Sequence, residues 1–327
     1  MAIKHGLSLL LVLLLTLSGC GDQALDTPPE HKLPEEGAVS SSGSHLGQTD
    51  NNGTPTIPTA PTEPDEPAWP RAGDKLVTMT SEDMGQGLLI LVNNQHFYTI
   101  PDDMDERRIT IAEGKSASYR LRDYTTSVLP DTVYHLNDLL DAFVAQGGPD
   151  DIMVVSGWRS YEIQEQLFKN NVARNGLEHA QRYVAQPKGS EHHTGYAVDL
   201  WSVNNNDYLD YTGEYTWITD HCNDYGFILR YEKEKEPVTG IAEETWHYRY
   251  LGLPHPWIVT ENGFCYEEYI DYLRGFPYDG DHLLYDGPNG TSYEIYFVEG
   301  LEVPVPENGN YEISGNNVDG FIVTVTK

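Results

Sequence analysis

Cysteine is scarce in this sequence. Three occur among 327 residues, Cys20, Cys222 and Cys265, and Cys20 falls at the end of an N-terminal apolar segment. The two that remain do not make a disulfide scaffold, and they read as semi-buried thiols in preference to a bridge. Basic residues are few as well: 20 Lys and Arg face 51 Asp and Glu, for a formal charge of −31. That balance excludes a nucleic-acid partner, which would ask for a basic face; otherwise it says only that the surface keeps the protein soluble. Long apolar runs are also missing. The run from Leu9 to Leu15 is too short to span a bilayer, and no other segment reaches transmembrane length.

That short run has the length of a signal-peptide core. Lys4 and His5 precede it, and Leu17-Ser18-Gly19-Cys20 closes it. The small residues before Cys20 resemble a bacterial lipobox, which implies that residues 1–20 are a lipoprotein signal and that Cys20 becomes the acylated first residue. Diacylglycerol plus an amide-linked chain supplies more than one hydrocarbon anchor, enough for stable attachment. The expected location is therefore extracytoplasmic, lipid-anchored to the bacterial cell membrane. Residues 21–72 follow as an acidic linker rich in Pro, Ser, Thr and Gly. Such a segment cannot bury enough apolar surface to offset its ordering entropy. The prolines between Pro55 and Pro64 favour extended conformations and a semi-rigid tether, which gives reach into a cell wall or serves as a plain spacer.

The rest is long enough for one sizeable core plus an appendage. A helix starts near Asp131, which can cap it, with Val133, Leu136, Leu140, Phe143 and Val144 on one face and Gly147-Gly148 as its stop. Ile152–Val155 reads as a buried strand that delivers Arg159. Ser160 can cap the next helix, whose Ile163, Leu167, Phe168 and Val172 are expected to face inward and whose Gln164 lies close to Arg159. Trp217, Ile218, Cys222 and Tyr225 form a further helix face closed by Gly226. Strands are expected over 196–201, 227–231 and 245–250, with Glu244 in a turn or bulge before the last, and a helix over 264–274. From residue 276 to 327 the composition changes to short β-like runs, 282–285, 292–298, 301–305 and 321–325, separated by Gly, Pro and Asn turns. This reads as a small β-rich appendage to a domain spanning 73–275, packed on that domain in preference to binding wall polymer.

The chemistry is carried by Ser190-Glu191-His192-His193-Thr194-Gly195-Tyr196-Ala197-Val198-Asp199 and, downstream, by Glu244-Thr245-Trp246-His247. Catalytic zinc usually takes three N/O ligands and keeps a fourth position for water. Asp199 and His247 can supply two of them, and either His192 or His193 the third. Alternation along the 196–201 strand puts Ala197, Asp199 and Trp201 on one face, the small Ala leaving room for a metal. Glu244, three residues before His247, is a spare carboxylate able to take a proton from water. The pattern is that of a zinc hydrolase. His179, His221 and His255 have no partner motif and read as structural.

These segments resemble the S-x-H-x-x-G-x-A-x-D and E-x-W-H signatures of VanY-type D-alanyl-D-alanine carboxypeptidases, zinc peptidases that trim peptidoglycan stem peptides. Ser156-Gly157-Trp158-Arg159-Ser160-Tyr161, with Gln164 after it, resembles their S-G-Y-R-S-x-x-x-Q segment, Trp158 replacing the usual Tyr. Leu89–Asn93, Gly226–Tyr231 and Thr239–Tyr250 extend the resemblance over residues 85 to 274. It implies an α+β fold, a compact zinc-peptidase domain whose antiparallel sheet is backed by helices. It also implies one Zn2+ per chain on His192, Asp199 and His247; the register selects His192 and leaves His193 as a supporting or surface group. Glu244 would be the general base and Arg159 the stabiliser of the oxyanion, while Ser190, Gln164, Trp246 and Tyr231 would contact substrate. The partners implied are peptidoglycan stem peptides, plus the membrane through acylated Cys20, with the chain acting as a monomer. Release of the terminal D-Ala from pentapeptide stems is the leading expectation. An L,D-carboxypeptidase acting on tetrapeptides is the alternative within the architecture. A non-catalytic wall-binding lipoprotein is the third reading, weakened by the complete set of ligands and Glu244.

The lipid anchor is tested by Cys20→Ser. This variant is expected to leave the membrane fraction or to accumulate as unprocessed precursor; normal processing with unchanged fractionation would remove the anchor.

Overall fold

A computed structural model describes residues 69–327. The signal segment, Cys20 and the linker up to residue 68 lie outside the described residues. Within them no helix is long and apolar enough to cross a membrane.

The central sheet runs in the order Arg120–Leu121, Ile152–Ser156, Ala197–Ser202, Glu244–Tyr250, Phe227–Tyr231, with Asp207–Tyr208 pairing onto Ala197–Ser202. All pairs are antiparallel except the first, Arg120–Leu121 with Ile152–Ser156, which is parallel. Strand alternation gives the sheet two different faces. Val154, Val198, Leu200 and Tyr248 are fully buried and join Leu136, Leu140 and Phe143 of the Pro130–Ala145 helix in one hydrophobic cluster. Asp199 and His247, the alternate residues, lie on the other face.

The Pro130–Ala145 helix begins on Leu129, which gives no side-chain cap; Pro130 occupies the first turn beside Asp131. Asp131 is therefore not the expected cap. It complements the helix dipole from inside the first turn, and proline supplies the pre-set φ. The stop is as expected: Gly147 takes φ +97°, and a Cβ on Gly148 would stand 2.3 Å from the Phe143 ring.

Ser160 caps the Tyr161–Asn175 helix, accepting from the Ile163 backbone N–H. The inward face of that helix differs from the expectation. Ile163 is 52% exposed, Leu167, Phe168 and Val172 are only half-buried, and the buried positions are Gln164 and Asn171. Both polar residues are bonded where they lie: Gln164 to Arg159 and to the Ala185 carbonyl, Asn171 Oδ1 accepting from His179 Nδ1. The helix lies against polar groups of the site region, so burial selects hydrogen-bonding side chains there. His221 likewise has a structural bond, to the Trp217 carbonyl.

The C-terminal residues form a four-stranded antiparallel sheet in the order Leu283–Asp286, Ser292–Glu299, Gly320–Thr326, Asn310–Gly315. One face, through Ile295, Phe297 and Ile322, shares a hydrophobic cluster with Leu89, Leu91, Ile228 and the helices His255–Asn262 and Tyr266–Leu273. The other face packs Tyr296, Val298, Phe321 and Val323 on Val303 and Val305, whose strand Glu302–Pro306 pairs with Asp74–Thr78. The strands after residue 275 thus share a hydrophobic cluster with elements before it. Cys222 and Cys265 are both free and buried.

His255 joins three of these elements, its Nδ1 bonded to the Tyr269 hydroxyl at 2.7 Å and its Nε2 to Thr324 Oγ1 at 3.1 Å. Burial lowers its pKa from 6.5 to about 3. The folded ring refuses a proton that the unfolded chain accepts. Its contribution is thus complete above about pH 6.5 and is lost as pH falls from there toward 3. Denaturant titrations of wild type and His255→Gln should show the stability gap between them narrowing by about 2–3 kcal/mol from pH 7.5 to pH 4.5. A gap independent of pH would show that the ring does not titrate as described.

Candidate active site

The turn that carries His192 is a 3-10 helix, Glu191–Thr194, ended by Gly195 in the left-handed region at φ +78°. A side chain there would be strained in φ and would also meet Leu129. Glu191, His192 and His193 are all buried. Chain reversal at Gly195 sends Ala197–Ser202 back beside the turn. That brings His192 Nε2 to 3.2 Å from Asp199 Oδ2. Across the sheet Asp199 is in register with His247, and His247 Nδ1 is 3.1 Å from Asp199 Oδ1. The two imidazoles stand at 88° with their centroids 4.9 Å apart.

Glu244 joins them through a bulge. Tyr231 pairs with Glu244 and Leu229 with Tyr248, so one step of two residues on one strand faces four on the other. The irregularity lies inside the Glu244–Tyr250 strand, not before it as expected. It brings Glu244 Oε2 to 3.5 Å from His247 Nδ1, which a regular strand would place on the opposite face.

His193 is excluded as a ligand by its bonds. Its Nδ1–H donates to the Arg159 carbonyl at 2.7 Å and its Nε2 accepts from the Lys188 backbone N–H at 3.2 Å. It is fully buried and supports the Arg159 segment, so it is not a surface group. His192 has the complementary arrangement, with Nδ1–H donating to the Gly157 carbonyl at 2.6 Å and Nε2 turned into the site. Gly157 is required there, since a Cβ would lie 2.7 Å from the Ser127 carbonyl oxygen.

Arg159 is held at three points: Nε donates to Ser156 Oγ at 3.0 Å, Nη1 to Gln164 Oε1 at 2.9 Å and Nη2 to Asp199 Oδ2 at 3.0 Å. Gln164 is 1% exposed, and its amide nitrogen donates to the Ala185 carbonyl. One bond at each end of that side chain fixes it, so Gln164 aims Arg159. Ser190 is buried at the start of the turn. Trp246 is half-buried against Tyr208, which in turn meets Trp201, making an aromatic wall. Tyr231 is buried with its ring 5.0 Å from His247.

The charges are unbalanced in a particular way. Burial opposes ionisation of Asp199, yet the facing His192 and His247 hold its carboxyl well below the usual range. Burial and the nearby Arg159 press His192 down to about 4. His247 is raised to about 9 despite burial, by Asp199, Glu191 and Glu244 around it. Burial lifts Glu244 to about 7. An imidazole drawn to its cationic form by three buried carboxylates marks a place that calls for positive charge. Among the described residues the buried Asp199 Oδ1 accepts no well-directed hydrogen bond, although His247 Nδ1 stands 3.1 Å away. Ligand atoms of His192, Asp199 and His247 all lie within 4.8 Å of one another. Two nitrogens and a carboxylate in this cluster suit zinc.

Three functional neighbours escaped the sequence reading. Glu191 is fully buried between Arg230, whose Nε donates to its Oε1 at 2.8 Å, and His247, whose Nε2 lies 3.3 Å from its Oε2. Arg230 also makes a two-pronged pair with Glu267 at 3.0 and 2.7 Å. The available signal was Arg230 itself, a charge inside an otherwise apolar strand.

Comparison with known proteins agrees with this geometry. Residues 126–253 match the VanY family, D-alanyl-D-alanine carboxypeptidase. A D-alanyl-D-alanine carboxypeptidase of Enterococcus faecium is 33% identical over 258 residues, covering 76% of this chain and 78% of the relative. The bifunctional D-Ala-D-Ala dipeptidase and carboxypeptidase VanXYC of Enterococcus gallinarum is 38% identical over 39% of this chain and 71% of its own. Among solved structures, the vancomycin-resistance D,D-dipeptidase VanXYg, in complex with a D-Ala-D-Ala phosphinate analogue, superposes with a TM-score of 0.69 at 32% identity, covering 78% of this chain and 99% of that one. The LD-carboxypeptidase LdcB gives 0.50 at 30% identity, covering 57% and 87%. With His192, Asp199, His247 and Glu244 brought together as the motifs require, and with similarity to the Enterococcus faecium enzyme over three quarters of its length, the chain belongs to the VanY family of D-alanyl-D-alanine carboxypeptidases.

Proposed function

We propose that this protein is a zinc-dependent D,D-carboxypeptidase that removes the terminal D-Ala from peptidoglycan stem peptides. The observation that carries the reading is the convergence of His192 Nε2, the Asp199 carboxylate and His247 Nδ1 beside a Glu244 that is left over from that set. D,D-specificity is favoured over L,D-specificity by the sequence relative: the D-alanyl-D-alanine carboxypeptidase of Enterococcus faecium is 33% identical over 78% of its own length. Attachment through acylated Cys20 to the outer face of the bacterial membrane, supported by the lipobox-like sequence, would place the enzyme beside its polymer.

His192, Asp199 and His247 would hold the zinc ion. Zinc in such a site lowers the pKa of a water and polarises a carbonyl oxygen. Glu244, lifted into the neutral range by burial, accepts the proton of the attacking water and returns it to the departing amine nitrogen. Arg159 keeps uncommitted N–H groups on its terminal nitrogens and carries positive charge toward the oxygen that gains negative charge. Gln164 and Ser156 fix its direction. The Trp246–Tyr208 wall, Ser190 and Tyr231 border the space left for the peptide terminus.

Glu244→Gln separates chemistry from binding. Turnover should fall by about two to four orders of magnitude while zinc content and fold stay near wild type; loss of zinc would make Glu244 a ligand, and near-normal turnover would assign the proton to another group. His247→Ala should lose zinc and activity together, and a variant that kept both would break the ligand assignment. Mass spectrometry of muropeptides after incubation settles the stereochemistry. Loss of one Ala from pentapeptides is expected; loss from tetrapeptides alone would make the enzyme an L,D-carboxypeptidase, and loss from neither would make it non-catalytic.

A further inference from the structure

We infer that Glu191 is a positioning residue of the metal centre. It accepts the Nε2 proton of His247 and so keeps Nδ1, the nitrogen facing Asp199 and Glu244, free to bind the ion; Arg230 holds Glu191 in place, and Glu267 anchors Arg230. The inference rests on the metal site proposed above and names what sets the state of one of its ligands.

The argument starts from the two ring nitrogens. Neutral imidazole carries one proton, and the nitrogen that carries it cannot bind a metal. For His192 the choice is made by the Gly157 carbonyl, which can only accept and so fixes the proton on Nδ1. Among the described residues no backbone carbonyl is bonded to the His247 ring; the atom 3.3 Å from Nε2 is Glu191 Oε2. An ionised carboxylate only accepts, so it selects the Nε2–H form and directs the Nδ1 lone pair toward Asp199.

Glu191 can stay ionised in the interior because Arg230 is there. Neither side chain has any exposed surface. The Arg230 Nε bond to Oε1 occupies the oxygen that His247 does not use. The outer edge of the guanidinium is taken by Glu267, to which Asn93 Nδ2 also donates at 3.0 Å. The guanidinium carbon lies 4.6 Å from the centre of the Tyr231 ring, and that ring is beside His247. Every group in this chain is thereby held from two sides, and the last link is the His247 ring.

Glu191→Gln tests the assignment with almost no change in volume, and it leaves Arg230 its Glu267 counter-charge. Arg230 Nε only donates, so the amide oxygen must turn to it. The amide NH2 then faces His247 Nε2, which has to accept, and the ring proton moves to Nδ1, where it blocks the metal.

Zinc affinity is measured on metal-free wild type and variant by competition with a chromogenic chelator, and the thermal midpoints of both metal-free forms are compared. The expected result is an affinity lower by about ten- to a hundred-fold with midpoints close together. Long-range 1H–15N correlation spectra of zinc-loaded, histidine-labelled wild type should place the His247 proton on Nε2. Affinity in Glu191→Gln within twofold of a zinc-binding wild type overturns the role of Glu191 alone. If wild type itself fails to bind zinc, the metal centre and this role fall together. Should the variant not fold, the wild-type spectrum decides, and a His247 without a proton on Nε2 overturns the inference.

Discussion

Asp199 stands opposite His247 across two paired strands, and most of the molecule serves to keep that pair in place with too little positive charge around it. Asp199, Glu244 and Glu191 all lie within about a hydrogen bond or slightly more of one imidazole. Burying charge is costly unless it is paired, and Arg159 and Arg230 each neutralise one side of the cluster. Between them the ligand atoms of His192, Asp199 and His247 lie within 4.8 Å of one another, a cluster that could hold a metal ion. The sheet makes this possible by being two-faced. Its greasy side, sealed by the Pro130–Ala145 helix, carries the cohesion, so the opposite side is free to hold polar groups.

Two of the loops that serve the site depend on glycine, one for its backbone and one for its lack of a side chain. Gly195 reverses the chain after the histidine turn, and Gly157, whose own carbonyl receives the His192 proton, has no room for a Cβ beside the Ser127 carbonyl. The motif glycines are thus geometric parts of the site, as much as the ligands they separate.

The sequence was legible where local pattern and tertiary environment agree. The strand Phe227–Tyr231 has the expected bounds, starting right after the helix-closing Gly226, and Ser160 caps its helix because the side chain needs only its own next turn. The candidate ligands and Glu244 could be read because their spacing repeats a family pattern. What failed was whatever depended on partners distant in sequence. Ile163 faces solvent and Gln164 the interior because the neighbour of that helix is Arg159, a polar partner that periodicity alone does not reveal. Glu191 passed as a spacer between recognisable residues, its meaning supplied by Arg230 and Glu267. The strand Asn310–Gly315, with its Asn, Ser and Gly, lacks β-branched density and forms because Gly320–Thr326 offers it an edge.

The pairing of Asp74–Thr78 with Glu302–Pro306 has a consequence for the order in which the protein assembles. More than two hundred residues separate the partners, and Leu89 N–H and Ser314 Oγ repeat the same span at 2.8 Å. Closing so long a loop is slow relative to local contacts, and a chain that stops before residue 302 cannot make the strand pair. The catalytic strands lie between these partners, and Ile228 of the adjoining Phe227–Tyr231 strand shares a core with what comes after them. A nascent chain can therefore contain every ligand and still lack a finished enzyme until its last strands have emerged.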